Sequence, residues 1–313
     1  MDTISNKIIV NYDNKPLYNI VLTDDFLDLS QLLVQLGMDK RRFMIISDQN
    51  VSKLYLESMI EVIKPIANSM ETFIFFPGEE SKNLDTVNRC YEQLIENSFD
   101  RNDVLIALGG GVVGDLTGFI AATYLRGIRF IQVPTSLLAM VDSSIGGKTG
   151  VDYKSYKNMI GAFHQPSLVY MNLSTLNSLP DREYYSGMAE IIKHGLIRDS
   201  EYLPFLSNNY KEILSKKYDI IKEMIIRSCM IKKEIVEHDP KKAGERALLN
   251  LGHTIGHSVE KLKEFSLLHG ECVGIGMAAA SYMSYSRGYI SKDDYDHILQ
   301  IIKLFQHQIF YLI

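Results

Sequence analysis

The sequence predicts an α/β domain built on a parallel sheet, followed by an all-α domain. In the first half, short apolar runs alternate with amphipathic stretches. One of those runs leads through a glycine-rich turn into a helix-like segment. From about Ser174 the pattern changes to longer amphipathic segments rich in Leu, Ile, Lys and Glu, with no comparable strands. The expected boundaries are an α/β domain over residues 1–170 and a helical domain over 171–313, with Pro166 and Pro180 bracketing the changeover.

The strands are read at Arg42–Asp48, Glu71–Phe76, Val104–Leu108 and Arg129–Val133. Their β-branched and aromatic content, without strict polar alternation, suits strands buried on both faces of a parallel sheet. Such sheets bind ligands outside the carboxyl ends of their strands. Gly109-Gly-Gly-Val-Val-Gly-Asp115 stands at such an end and opens the helix-like Leu116–Leu125. It therefore meets both the G-x-G-x-x-G spacing and its strand-to-helix context, the Rossmann-like arrangement. A turn without Cβ atoms at a helix N-terminus lets a pyrophosphate approach backbone amides and the positive end of the helix dipole. The following strand carries Gln132 rather than an acidic residue, so Asp48 and Glu79 become the candidates for a ribose hydroxyl.

Composition narrows the partners. The chain has 313 residues, 46% of them hydrophobic and 23% charged, with a formal charge of -5 and a pI near 5.9. That balance argues against nucleic acid or a membrane surface as partner. Against this acidic background Arg126, Arg129, Lys148, Lys154 and Lys157 form a local basic cluster, suited to an anionic small molecule. No leader-like segment or membrane-spanning run is evident, so a cytoplasmic protein is expected. Cys90, Cys229 and Cys272 are scattered and read as buried reduced thiols.

The later half carries the chemistry. His253 and His257 lie four apart, on one face if the segment is helical, and His269 follows nearby. With Glu190 as a third ligand, the His253/His257 pair would close a site around a divalent ion, and the flanking glycines would let a neighbouring segment approach. Glu190 stands in the apolar Gly187-Met-Ala-Glu-Ile-Ile-Lys193, where a buried carboxylate needs a metal or a cation. Arg246 and Asn250 precede His253 at helical spacing and would share its face or stand at its entry. Ser143–Gly150 is read as a glycine-rich loop presenting Lys148 near Asp142. It is not a nucleoside-triphosphate loop, because Asp142 replaces the first glycine of that pattern.

Several long motifs in register carry a family resemblance. They are Gly109–Asp115, Tyr124–Ala139, Val141–Gly150, Lys157–Phe163, Gly187–Lys193, Arg246–His257 and Leu268-His-Gly-Glu271. Together they closely resemble 3-dehydroquinate synthase, a sugar phosphate cyclase, over about residues 40 to 290. The resemblance implies a lyase of the shikimate pathway that uses NAD and zinc, with cobalt as a substitute. It would convert 3-deoxy-D-arabino-heptulosonate 7-phosphate to 3-dehydroquinate and phosphate. It also implies a homodimer.

By the same resemblance the zinc ligands are Glu190, His253 and His269, which moves His257 from the metal to the substrate. NAD would be held by Asp48, Asn50, Glu79, Lys82, Gly111, Val112, Val113, Gly114, Asp115, Thr135 and Ser136, together with Thr175, Leu176, Asn177 and Ser178. Asp142, Lys148, Asn158, Lys193, Lys232, Arg246, Asn250 and His257 would surround the substrate. Lys148 would also reach the cofactor, Lys157 would stand between the two ligands, and Arg126 would reach the substrate of a neighbouring subunit. The ending Leu304–Ile313 is unlike the family's continuation and shorter, from which impaired activity or stability is expected. The competing expectations are another sugar phosphate cyclase, a polyol dehydrogenase that accumulates NADH, and an NAD-binding protein without turnover.

Overall fold

The computed structural model describes residues 6–154, 156–239, 244–264 and 266–305. Two compact units divide after Thr175, against an expected boundary after residue 170. Residues 306–313, which hold most of the ending read as unlike the family's continuation, lie outside the described residues.

The first unit holds β1 (Lys7–Tyr12), β2 (Lys15–Thr23), α1 (Leu29–Gln35), β3 (Arg42–Asp48), α2 (Gln49–Ile63) and β4 (Ser69–Phe75). It continues with α3 (Leu84–Glu96), β5 (Val104–Gly109), α4 (Gly111–Thr123), β6 (Arg129–Pro134), β7 (Lys148–Tyr153), β8 (Tyr156–Phe163) and β9 (Leu168–Asn172). Seven strands form one sheet in the order β1-β2-β9-β6-β5-β3-β4. All its pairings are parallel except β1 with β2.

Alternate residues of β3 explain why its centre, Phe43–Ile46, is apolar without a break. Phe43 and Ile45 pack with Leu29 and Leu33 of α1 and Met59 and Ile63 of α2. Met44 and Ile46 pack with Val87, Cys90 and Leu94 of α3 and with Leu116 and Ile120 of α4. The sheet is thus covered on both faces. From β3 the chain steps outward to β4, and from β5 it steps the other way to β6. The carboxyl ends of β3 and β5 therefore flank a topological switch point, where α/β sheets take their ligands.

The structure adds what the pattern did not predict. The β1–β2 hairpin and β9 extend the sheet, and β9 lies inside the changeover that Pro166 and Pro180 were read to bracket. The segment read as a glycine-rich loop ends at Lys148, which begins β7. With β8 that strand forms a separate antiparallel ribbon.

The second unit is helical throughout its described residues: α5 (Asp181–Arg198), α6 (Tyr202–Asn208), α7 (Tyr210–Leu214), α8 (Tyr218–His238), α9 (His253–Leu262), α10 (His269–Ser286) and α11 (Lys292–Phe305). A 3-10 turn over Glu245–Asn250 precedes α9. Helices α5 and α9 both pack on α10. The α9–α10 contact is made backbone to backbone: a Cβ added at Gly276 would lie 1.8 Å from the Gly252 carbonyl oxygen, and one at Gly256 would lie 2.9 Å from that of Cys272.

Candidate active site

In the first unit the glycines of the strand–turn–helix motif each answer a steric demand. A Cβ at Gly109 would meet the Val113 side chain at 2.4 Å, and one at Gly114 would meet Gln132 of β6 at 2.7 Å. Gly114 therefore lets α4 lie close on the sheet, while Gly110 stands at the N-cap without a side-chain hydrogen bond to the helix. Gly111, Val112, Val113, Gly114 and Asp115 all fall in the first turns of α4. Asp48, at the end of β3, accepts hydrogen bonds from the backbone N–H groups of Asn50 (2.8 Å) and Val51 (3.0 Å), capping α2.

Lys82, buried beside this motif, donates to Asp115 Oδ2 at 2.7 Å and to Asn158 Oδ1 at 2.6 Å, with Glu79 Oε1 at 3.7 Å. Burial alone would lower the Lys82 ammonium, but Asp115 and Glu79 outweigh it and hold the group above the ordinary lysine value. Burial likewise pushes the Asp115 carboxyl above its ordinary value, and Lys82 opposes that rise. Residues assigned by resemblance to cofactor (Glu79, Lys82, Asp115) and to substrate (Asn158) thus share one polar cluster.

The remaining first-unit candidates spread around it. Thr135 N–H donates to the Gly109 carbonyl at 3.0 Å, and Ser136 Oγ accepts from Ala139 N–H at 3.3 Å. Asp142 lies in a π-helical turn, Ala139–Ser143, a deformation frequent at functional sites. Lys148 and Arg126 are exposed and Lys157 is half-buried. Leu125, Arg126 and Gly127 all take positive φ (50°, 69° and 121°), a tight corner that presents Arg126 outward. Thr175 closes the unit, its hydroxyl donating to the Asn172 carbonyl at 2.8 Å. Leu176, Asn177 and Ser178 continue the same 3-10 turn, Leu173–Ser178, at the start of the second unit.

Helices α5, α9 and α10 bring the second unit's chemistry together. Glu190 on α5 is fully buried. Its Oε1 lies 3.7 Å from His253 Nε2, at the head of α9, and 3.5 Å from His269 Nε2, at the head of α10. Three ligands at ~2.1 Å in tetrahedral arrangement stand ~3.4 Å apart, so these separations suit one divalent ion. Glu190 Oε1, on the side of the two imidazoles, has no hydrogen bond of normal geometry among the described residues, which leaves acceptor capacity for a cation there. His253 Nδ1 lies 3.2 Å from the Leu251 carbonyl, so a proton on Nδ1 would leave the Nε2 lone pair facing Glu190. Burial, opposed in part by Glu190, lowers the His253 imidazole to about 4, which keeps it neutral as a ligand must be.

Burial pushes the Glu190 carboxyl up, but Lys193 and the two imidazoles prevail and hold it well below the ordinary carboxylate range. Lys193 contacts Glu190 Oε2 and donates to the Leu249 carbonyl at 2.8 Å.

His257 joins the group, its ring centroid 5.3 Å from that of His253 and 6.0 Å from that of His269. The spacing argument from His253 and His257 thus found a real cluster. Among the described residues, the ligand-distance groups within this unit pair Glu190 with His253 and His269, while His257 falls with Glu260 and His269. Glu260 was not singled out from the sequence. Its signal was available: it lies three residues after His257 and seven after His253, on one face of α9, and is only 4% exposed.

Arg246 and Asn250 stand at the entry to the helix of His253 rather than on its face. Gly252 takes a φ of +81° and separates the 3-10 turn carrying Arg246 and Asn250 from α9. Three cations of this unit are nonetheless deeply buried: Lys193 at 1%, Arg246 at 2% and Lys232 at 5% exposure.

Comparison with known proteins agrees with this construction. The 3-dehydroquinate synthase N-terminal family profile matches residues 72–186, and the corresponding C-terminal profile matches 187–311. The 3-dehydroquinate synthase of Acetivibrio thermocellus is 44% identical over 278 residues, covering 89% of this chain and 77% of that protein. Among solved structures, a 2-deoxy-scyllo-inosose synthase with carbaglucose-6-phosphate, NAD+ and Co2+ superposes with a TM-score of 0.86 at 24% identity, covering 98% of this chain and 82% of that one. The 2-epi-5-epi-valiolone synthase of Streptomyces hygroscopicus, with NAD+ and Zn2+ bound, gives 0.86 at 26% identity, with 95% and 82% covered. The two profiles, which together span residues 72–311, and the identity across most of the chain lead to one conclusion: the chain belongs to the 3-dehydroquinate synthase family.

Proposed function

We propose that this chain catalyses the 3-dehydroquinate synthase reaction, with NAD and a divalent ion, zinc or cobalt, as cofactors. The substrate is 3-deoxy-D-arabino-heptulosonate 7-phosphate, and the reaction comprises transient oxidation, elimination of phosphate, re-reduction, ring opening and intramolecular aldol closure. The observation that carries this reading is the buried Glu190 carboxylate facing the Nε2 atoms of His253 and His269. A catalytic zinc site with three protein ligands keeps one position open for substrate oxygen.

Bound zinc supplies Lewis acidity that lowers the pKa of a coordinated alcohol, and NAD supplies a hydride acceptor that becomes the donor later in the same turnover. The rest falls to the chain's own groups. Gly111 to Asp115 open a helix whose free amides suit a pyrophosphate, with Thr135, Ser136, Thr175, Leu176, Asn177 and Ser178 completing the cofactor contacts. Asp48, Asn50 and Glu79 would take the ribose end, and Lys82 holds Asp115 in place. Lys193, Lys232 and Arg246 bind the substrate's carboxylate and phosphate, where arginine's planar fork also fixes orientation. Asp142, Lys148, Lys157, Asn158, Asn250 and His257 position its hydroxyls. Fixing that geometry is the main contribution to the aldol closure.

A homodimer belongs to the same reading, with Arg126 contributing to a neighbouring subunit's site. The hairpin strand β8 leaves Tyr156, Met159 and Phe163 each more than half exposed, which suits an apolar contact with a second copy. Sedimentation velocity at micromolar concentration would read a dimer, and a monomer there removes this part.

Phosphate release from the heptulosonate phosphate, with an absorbance trace for NADH, tests the activity. Release should stop with chelator, return with zinc or cobalt, and leave no net NADH. Net NADH accumulation would identify a dehydrogenase. NAD binding without turnover after zinc is restored would exclude the cyclase.

A further inference from the structure

Two backbone N–H groups flank His269, one held by Glu271 in the first turn of α10 itself and the other by Ser186 of α5. The Leu268 N–H donates to Glu271 Oε2 at 2.7 Å, and the Gly270 N–H donates to Ser186 Oγ at 3.0 Å. Glu271 is itself gripped by Arg182, whose Nε and Nη2 donate to Oε1 and Oε2, each at 2.8 Å. The same Nη2 reaches the Ser266 carbonyl at 3.0 Å, closing the segment ahead of the histidine. A Cβ at Gly270 would lie 1.9 Å from the Ser186 carbonyl oxygen, so the backbones of α5 and α10 are in contact there.

Arg182, Ser186 and Glu190 are spaced four apart on α5, so they share one face of that helix. The helix that carries the buried carboxylate therefore also carries both fastenings of the segment bearing His269. The Arg182 side chain is 52% exposed and that of Glu271 13%. With Arg182 half exposed, solvent screening limits what the pair contributes to folding. Its geometry serves another purpose: a planar two-point contact fixes direction as well as distance.

We propose that the Arg182–Glu271 pair is a positioning device for the metal site, setting His269 Nε2 at coordination distance from Glu190. The inference rests on the reading of Glu190, His253 and His269 as metal ligands. Neither Arg182 nor Glu271 touches the ion in this proposal; both act through the backbone that leads into His269, at Ser266 and Leu268.

The test measures Co2+ affinity by chelator competition, with the visible Co2+ absorption bands and the urea midpoint of the metal-free protein. It compares the wild type with Arg182→Ala, Arg182→Lys, Glu271→Gln and the ligand variant Glu190→Gln. Arg182→Ala and Glu271→Gln should bind Co2+ about 10- to 100-fold more weakly with altered bands, as loss of outer partners of metal ligands does. Arg182→Lys, which keeps the charge and loses the fork, should fall between. The metal-free urea midpoints of these variants should stay close to the wild type's. Wild-type affinity and bands in Arg182→Ala and Glu271→Gln would overturn the proposal, as would a lowered midpoint with unchanged affinity. Glu190→Gln separates the two readings. If it loses Co2+ and the Arg182 variants do not, only the positioning role falls; if the wild type binds Co2+ no better than Glu190→Gln, the metal reading falls and takes this inference with it.

Discussion

Replacing Gly276 with alanine should damage metal binding more than it damages the fold. The added Cβ would sit 1.8 Å from the Gly252 carbonyl oxygen, whereas carbon and oxygen in contact stand about 3.3–3.6 Å apart. Helix α10 would have to back away from α9 by about 1.5 Å to relieve that overlap, and no side-chain rotation can help because both partners are backbone. Overpacking of this kind costs about 1–3 kcal/mol, which lowers the urea midpoint without changing the slope of the transition. His253 follows Gly252 directly, and His269 stands two turns before Gly276 on the displaced helix. Metal–ligand bonds tolerate about 0.2 Å, so the same displacement spoils a site that must bridge both helices. Equilibrium urea unfolding and chelator-competition affinity on one preparation would read both effects. A Gly276→Ala protein with wild-type midpoint and wild-type Co2+ affinity would refute the close-approach argument.

Three further outcomes follow from a buried cation in the first unit and from the thiols. Lys82→Met removes the cation from Asp115 and Asn158. The stability loss should lie toward the low end of about 3–5 kcal/mol, because Asp115 keeps some access to water; Asp115→Asn in the same chain should recover part of it, measured by urea unfolding. Burial pushes the Cys90 and Cys229 thiols up to about 12. At pH 8 neither should react with a disulfide reagent until the protein is unfolded, and fast labelling of either in the native state would contradict their burial. Because both thiols hold their protons more tightly folded than unfolded, their linkage leaves stability unchanged below about pH 9 and erodes it as pH rises toward 12, as urea midpoints across that range would report.

The sequence carried β3, β5 and β6 well and the β1–β2 hairpin and β8 poorly, for a physical reason, although it missed the buried β9 and found the edge strand β4. Strands β3, β5 and β6 are covered on both faces, so each reads as a mostly apolar run. Strands β1 and β8 are not, and their exposed residues hide them among loops: Ile9 is 44% exposed and Met159 66%. The site divides the same way. Glu190 was visible because a charge inside an apolar helix demands a partner, and His253 with His257 because four-residue spacing is a local property. Bottom-up spacing chose His257 over His269 as ligand, since it sees along one helix and cannot see which neighbour stands opposite. That choice is made by backbone contacts: Gly276 against Gly252, and Gly270 against Ser186. Glycines beside a histidine pair are the sequence's trace of those contacts. They mark where a second helix can come close enough to supply the third ligand, and side chains such as Arg182 and Glu271 then decide where along that helix the ligand stands.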